Sequence, residues 1–166
     1  EDYNIVCDTG MPAGMKRKTG RKIILNIVVV DGMGGGMGSQ VVSQLVGQKI
    51  DEKARIVALG TNSHATNSML RAGAAKGATG ENAICFTIRC ADIIIAPIGV
   101  VIPNAMLGEI TPRIAEAIAC ADGKKILIPV AQTHFEIVGL EIRPLVQQIK
   151  EAVVRVVEIL EVDCKV

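Results

Sequence analysis

The chain alternates short continuous apolar runs with amphipathic stretches. Ile23-Ile-Leu-Asn-Ile-Val-Val-Val30 is apolar almost without interruption, the pattern of a strand buried on both faces. A helix is expected from about 38 to 48, and residues 54–60, rich in β-branched side chains and closed by Gly60, read as a second buried strand. Asn62 or Ser63 can cap a helix that runs to Arg71 and stops at Gly73. A short third strand follows at 74–77, a helix opens within 79–82, and 91–97 is a fourth strand. Thr111 and Pro112 mark the next helix start, as N-cap and first helical residue, and that helix ends before Gly123. Residues 124–130 form a fifth strand and 136–139 a short sixth. The last helix starts at Pro144, with Leu145, Ile149, Val153, Val156 and Leu160 along one apolar face.

Strands alternating with helices mean a parallel sheet covered on both faces. The expected fold class is therefore α/β, a three-layer Rossmann-like fold with five or six strands in the order 3-2-1-4-5(-6). One domain spans 22–166, and residues 1–21 read as a leader or tail outside the core. The chain opens on Glu1, and Met15 before Lys16-Arg17-Lys18 reads as a natural start.

Candidate chemistry begins where the first strand ends, in Asp31-Gly-Met-Gly-Gly-Gly-Met-Gly38. A strand, a glycine turn and a helix start in succession make a phosphate pocket, because the first helical N–H groups and the helix dipole favour an anion. The G-x-G-x-x-G pattern fails, since Gly32 and Gly34 put Met37 at the third position. G-x-x-x-G-x-G fits, with Gly32, Gly36 and Gly38. A P-loop is not expected, since no Lys-Ser/Thr pair closes the loop.

Such a sheet binds ligands at the carboxyl ends of its strands, so the loops expected to converge are 31–39, 60–63, 79–82 and 97–104. The cofactor-binding candidates are Asp31, Gly32, Gly34, Gly35, Gly36, Met37, Gly38, Thr61, Asn62, Gly80, Asn82, Pro97 and Gly99. The second loop offers neither an acid for NAD nor an Arg for NADP, so the choice between them stays open. Asp31 would repel a pyrophosphate; it can hold a cation, bond a ribose or cap the glycine turn, and capping is favoured. His64 and His134 are the catalytic candidates, each near strand ends where a general acid or base would work. Glu109 can act as a base or pair with the dipole of the helix it precedes, and pairing is favoured.

A chain of 166 residues, 49% hydrophobic and 21% charged, suffices for one well-buried core. A net charge of +1, one Tyr, two Phe and no Trp provide neither the field nor the stacking surface for nucleic acid. The longest uncharged stretch, 93–108, is broken by Pro97, Gly99 and Pro103, so no membrane span is expected. Five cysteines without a C-x-x-C pair suggest reduced thiols and a cytoplasmic location, with Cys85, Cys90 and Cys120 in the core, and no metal site is expected. Val154 and Ile159, off the main face of the last helix, suggest a homodimer through that helix.

The loop 31–38, with Ala58-Leu-Gly-Thr-Asn62, Gly77-Ala-Thr-Gly-Glu-Asn-Ala83, Pro97-Ile-Gly99 and Asn104-Ala-Met-Leu-Gly-Glu-Ile-Thr-Pro112, resembles a family of small uncharacterised bacterial proteins from Lys22 onward. The family's usual loop looks like Asp-Gly-Gln-Gly-Gly-Gly-Ile-Gly, so Met33 replaces a common Gln. The glycine spacing is similar to that of short-chain dehydrogenases, which implies NAD or NADP. Their Tyr-x-x-x-Lys pair has no counterpart here, since the single Tyr is Tyr3. The loop order also resembles the nucleotide half of tubulin-like division GTPases, which implies a purine nucleotide, but their Gly-Gly-Gly-Thr-Gly-Thr-Gly loop is missing. The expectation is a nucleotide-binding protein, NAD(P) favoured, with a purine mononucleotide or a structural, partner-binding subunit as alternatives.

Overall fold

Strand β1 (Leu25–Asp31) carries apolar side chains on both faces, and this makes it the centre of the sheet. Ile27 and Val29 belong to one core cluster, Val28 and Val30 to the other. In the computed structural model, which describes residues 24–130, 136–141 and 143–163, β1 pairs in parallel with β2 (Ala54–Gly60) and β4 (Ile93–Pro97). β3 (Lys76–Thr79) flanks β2 and β5 (Lys124–Ile128) flanks β4, completing a parallel five-stranded sheet in the order β3-β2-β1-β4-β5. The chain leaves β3 at one edge and returns to the far side of β1, so the order reverses between β1 and β4. That crevice is where open α/β sheets bind ligands.

Helices cover both faces. Val41, Val42 and Leu45 of α1 (Gly36–Gly47), Met69 of α2 (Ser63–Arg71), and Ile149, Val153 and Val156 of α5 (Leu145–Asp163) pack with Ile27 and Val29. Ile84 of α3 (Glu81–Thr87) and Ile114 and Ile118 of α4 (Pro112–Cys120) pack with Val28 and Val30. The three-layer Rossmann-like arrangement is the one the alternation implies. Asn62 caps α2, its Oδ1 accepting from Ala65 N–H at 2.9 Å, and Thr111 caps α4, its Oγ1 accepting from Ile114 N–H at 3.1 Å.

Several boundaries differ from the sequence reading. β3 starts two residues later than expected, because Gly73 and Ala74 are still bonded back to Leu70 and Met69 at the exit of α2. The expected sixth strand does not form: 136–139 lacks strand pairing, and a turn closes with Leu140 N–H on the Ile137 carbonyl. Ile159 packs on the core rather than outward, while Val154 is exposed. Cys85 is buried as expected, but Cys120 is exposed and Cys90 is disulfide-bonded, so the expectation of reduced, core cysteines fails at these two. Spacing along the chain does not say which thiols meet. The leader 1–21 lies outside the described residues.

α1 starts at Gly36, two residues before its expected position. A turn bond from Gly35 N–H to the Gly32 carbonyl at 2.9 Å reverses the chain, with Gly35 left-handed at φ +66°, and Ser39 N–H on the Gly35 carbonyl then opens the helix. A Cβ on Gly35 would stand 2.6 Å from Ala65 Cα, whereas one on Gly36 would meet nothing within 4 Å. Gly35→Ala should therefore cost about 2–4 kcal/mol from left-handed strain and displacement of α2. Gly36→Ala should be neutral or stabilising by up to about 1 kcal/mol. Urea denaturation of the two variants checks the contrast.

Candidate functional site

The end of β1 carries a buried carboxylate. Asp31 Oδ1 accepts from Gly32 N–H at 2.8 Å and Oδ2 from Gly38 N–H at 2.6 Å, so one side chain closes the glycine loop and caps the first turn of α1. Burial pushes its carboxyl above the usual aspartate range; the N–H groups of Gly38, Gly32 and Met37 pull it down, and the charge of Glu109 pushes it up. Of the roles open to Asp31, capping is what the geometry delivers.

A second carboxylate arrives from the segment between β4 and α4. Glu109 Oε2 accepts from Met33 N–H at 2.8 Å, from the Thr61 hydroxyl, and from Asn62 Nδ2 at 3.0 Å. Asn62 Nδ2 also donates to the Met33 carbonyl at 2.9 Å, tying the first two loops together. Partial burial alone would raise the Glu109 carboxyl, but the Thr61 hydroxyl, Met33 N–H and Asn62 amide outweigh it, and the net shift is downward. The dipole pairing expected of Glu109 is therefore replaced by a latch on the neighbouring loops. Gly32 lies beneath it: a Cβ there would stand 2.8 Å from both Met106 Sδ and Thr61 Oγ1.

These contacts divide the candidate residues. Gly32 and Gly38 spend their N–H groups on Asp31, and Gly35 spends its own on the turn. Met37 puts its side chain in the core. Gly34 and Gly36 are exposed, have open space where a Cβ would stand, and show no hydrogen-bond partner for their N–H groups among the described residues. Thr61 and Asn62 are engaged with Glu109, so neither is free for a ribose while that latch is closed. Gly80, at φ +92°, donates its N–H to the Gly60 carbonyl at 2.9 Å and leads into α3, on whose exposed first turn Asn82 stands. Pro97 and Gly99 are buried at the end of β4. His64 is exposed on the first turn of α2, and His134 lies outside the described residues.

Glu109 was expected at the dipole of α4 but contacts the neighbouring loops, and Met106 was not among the candidates. No local pattern in 106–109 marks either contact, because both reach loops far away in sequence. A groove also lies between α1 and α5, lined by Ser39, Gln40, Ser43, Gln44, Val146 and Ile149. Among the described residues, no group of three or more His, Cys, Asp or Glu could hold a metal ion, and no helix is long and apolar enough to cross a membrane.

A family model described as a domain of unknown function, DUF3842, matches residues 26–161, which takes in every strand and helix named above except the outermost residues of β1 and α5. No curated protein matches the chain. Among solved structures, a universal stress protein from Archaeoglobus fulgidus is similar over 63% of this chain and 98% of its own, at 13% identity and a TM-score of 0.37.

The latch predicts a pH dependence. Because the Glu109 carboxyl titrates lower in the folded chain than in the unfolded one, its contribution is present above the unfolded value of 4.5 and is lost as pH falls through the folded value. Glu109→Gln should cost about 1–2 kcal/mol near neutral pH, discounted for partial exposure. The gap from the wild-type chain should shrink toward pH 4 and below, as followed by urea denaturation across that range.

Proposed function

The chain belongs to the DUF3842 family, a domain of unknown function, and from its geometry we propose that it binds the phosphate of a nucleotide at Gly34 and Gly36, with NAD or NADP the favoured ligand. The observation that carries this reading is the pair of exposed N–H groups, Gly34 before α1 and Gly36 at its start, without a partner among the described residues and beside the crevice where the strand order reverses. N–H groups at a helix start accept an anion without a basic side chain, since the helix dipole has the right sign there. Open space above Gly34 and Gly36 lets a phosphate approach the backbone closely.

One observation favours a second ligand, a purine mononucleotide. In dinucleotide sites the second loop holds the adenosine ribose, and here Thr61 and Asn62 of that loop are engaged by Glu109. A ligand anchored by phosphate alone fits the closed latch better. The reading is one of ligand binding. Homodimer formation through α5 stays part of it only through the exposed Val154 and Val146.

Thermal-shift measurements with NAD, NADH, NADP, NADPH, ATP, GTP and GDP test the reading. A ligand at about 100 times its dissociation constant adds roughly 2.7 kcal/mol, which for a chain of this size raises Tm by about 5–10 °C. The shift should appear with one ligand class and vanish in Gly36→Val, whose side chain fills the open space without touching the core. No shift with any nucleotide would leave the partner-binding reading in its place.

A further inference from the structure

We infer that Glu109 is the internal occupant of a second anion subsite, formed by Met33 N–H, the Thr61 hydroxyl and the Asn62 side-chain amide, and that an incoming phosphate takes this subsite over when the strap 104–109 lifts. The inference rests on the phosphate-binding reading above and adds to it an autoinhibitory contact.

Three donors from two loops converge on one oxygen, Glu109 Oε2. Such convergence suits any anionic oxygen, and the donors belong to the glycine loop and to the second loop, both at the carboxyl ends of the strands. Neutral donors that lose an anion must find another or stand unsatisfied. A phosphate oxygen presents the same acceptor chemistry as the carboxylate it would displace.

The strap that delivers Glu109 has the backbone of a segment held rather than relaxed. Asn104, Met106 and Leu107 are left-handed at φ +62°, +55° and +57°, followed by Gly108 at +89°. L-residues rarely adopt that region, least of all in succession. Its base is fastened by Asn104 N–H on the Ile110 carbonyl at 2.7 Å and Ile110 N–H on the Ala105 carbonyl at 3.2 Å. The tip is not packed, because the Leu107 side chain is 94% exposed. Contact with the site is therefore made by Glu109 and by Met106 over Gly32. Releasing the carboxylate frees a strained strap while the base still holds.

The test titrates inorganic pyrophosphate, at ionic strength fixed with sodium chloride, into the wild-type chain, Glu109→Ala and Glu109→Gln. The readout is the Met33 backbone and Asn62 side-chain amide signals by NMR; the Gln variant covers the case in which Ala does not fold. Removing the resident carboxylate should tighten pyrophosphate binding by about tenfold or more. Adding Thr61→Val to either variant should remove most of the gain. Equal affinity in all chains, or binding that leaves the Met33 and Asn62 signals unmoved, overturns the inference. Nucleotide binding that Gly36→Val abolishes but Glu109 substitutions leave unchanged also overturns it, with the phosphate-loop reading intact. A pyrophosphate gain without nucleotide binding to the wild-type chain supports the subsite and sinks that reading.

Discussion

The capture of two backbone N–H groups by the buried Asp31 carboxylate is the constraint on which the site depends. A glycine-rich turn has many accessible conformations, and its ordering entropy must be offset by something local. Here Gly32 and Gly38 N–H groups bond the two oxygens of one side chain, which fixes the loop from both ends. Burial raises the cost of the Asp31 charge, and the bonds to Gly38 and Gly32 work against that cost. The early start of α1 follows, because the donor at Gly38 is already satisfied when the helix opens at Gly36.

That same capture decides what is left for a ligand. An anion at the start of α1 would compete with Asp31 for Gly38, and at the second loop it would compete with Glu109 for Thr61 and Asn62. Gly34 and Gly36 are outside both contacts. Two carboxylates therefore line a site whose position in the sheet suits phosphate. Charge alone disfavours an anion there, so binding has to come from the outward N–H groups and the dipole of α1. Glu109 is the movable part of this balance, being half-buried on a strained strap, whereas Asp31 is fixed within the loop.

Much of the fold was legible because β1, β2 and β4 are buried on both faces and read as apolar runs with few polar interruptions, Asn26 in β1 and Arg55 in β2. The Asn62 and Thr111 caps were legible for a local reason: the side chain that caps lies three residues before the N–H it accepts. Boundaries near glycines were less legible, as at Gly35 and Gly73, because backbone turns there are set by bonds to residues on neighbouring elements or earlier turns. The Asp31 cap could be anticipated from a carboxylate beside a helix start. The Glu109 latch could not, because Met33 is 76 positions from it in sequence and no periodicity links them. Left-handed backbone at Met106 and Leu107 likewise has no signature in residues that usually avoid it.

The glycine loop keeps its inner N–H groups for Asp31 and offers Gly34 and Gly36 outward. Amide-resolved NMR of the wild-type chain titrated with NADH and, separately, with GTP tests this most directly. Saturable shifts are expected at the Gly34 and Gly36 amides with one of these ligands, while the Gly38 amide, bonded to Asp31, keeps its position and exchanges slowly. Saturable shifts centred instead on Ser43 and Val146 in the groove between α1 and α5, or no shift at Gly34 and Gly36 with either ligand, would contradict it.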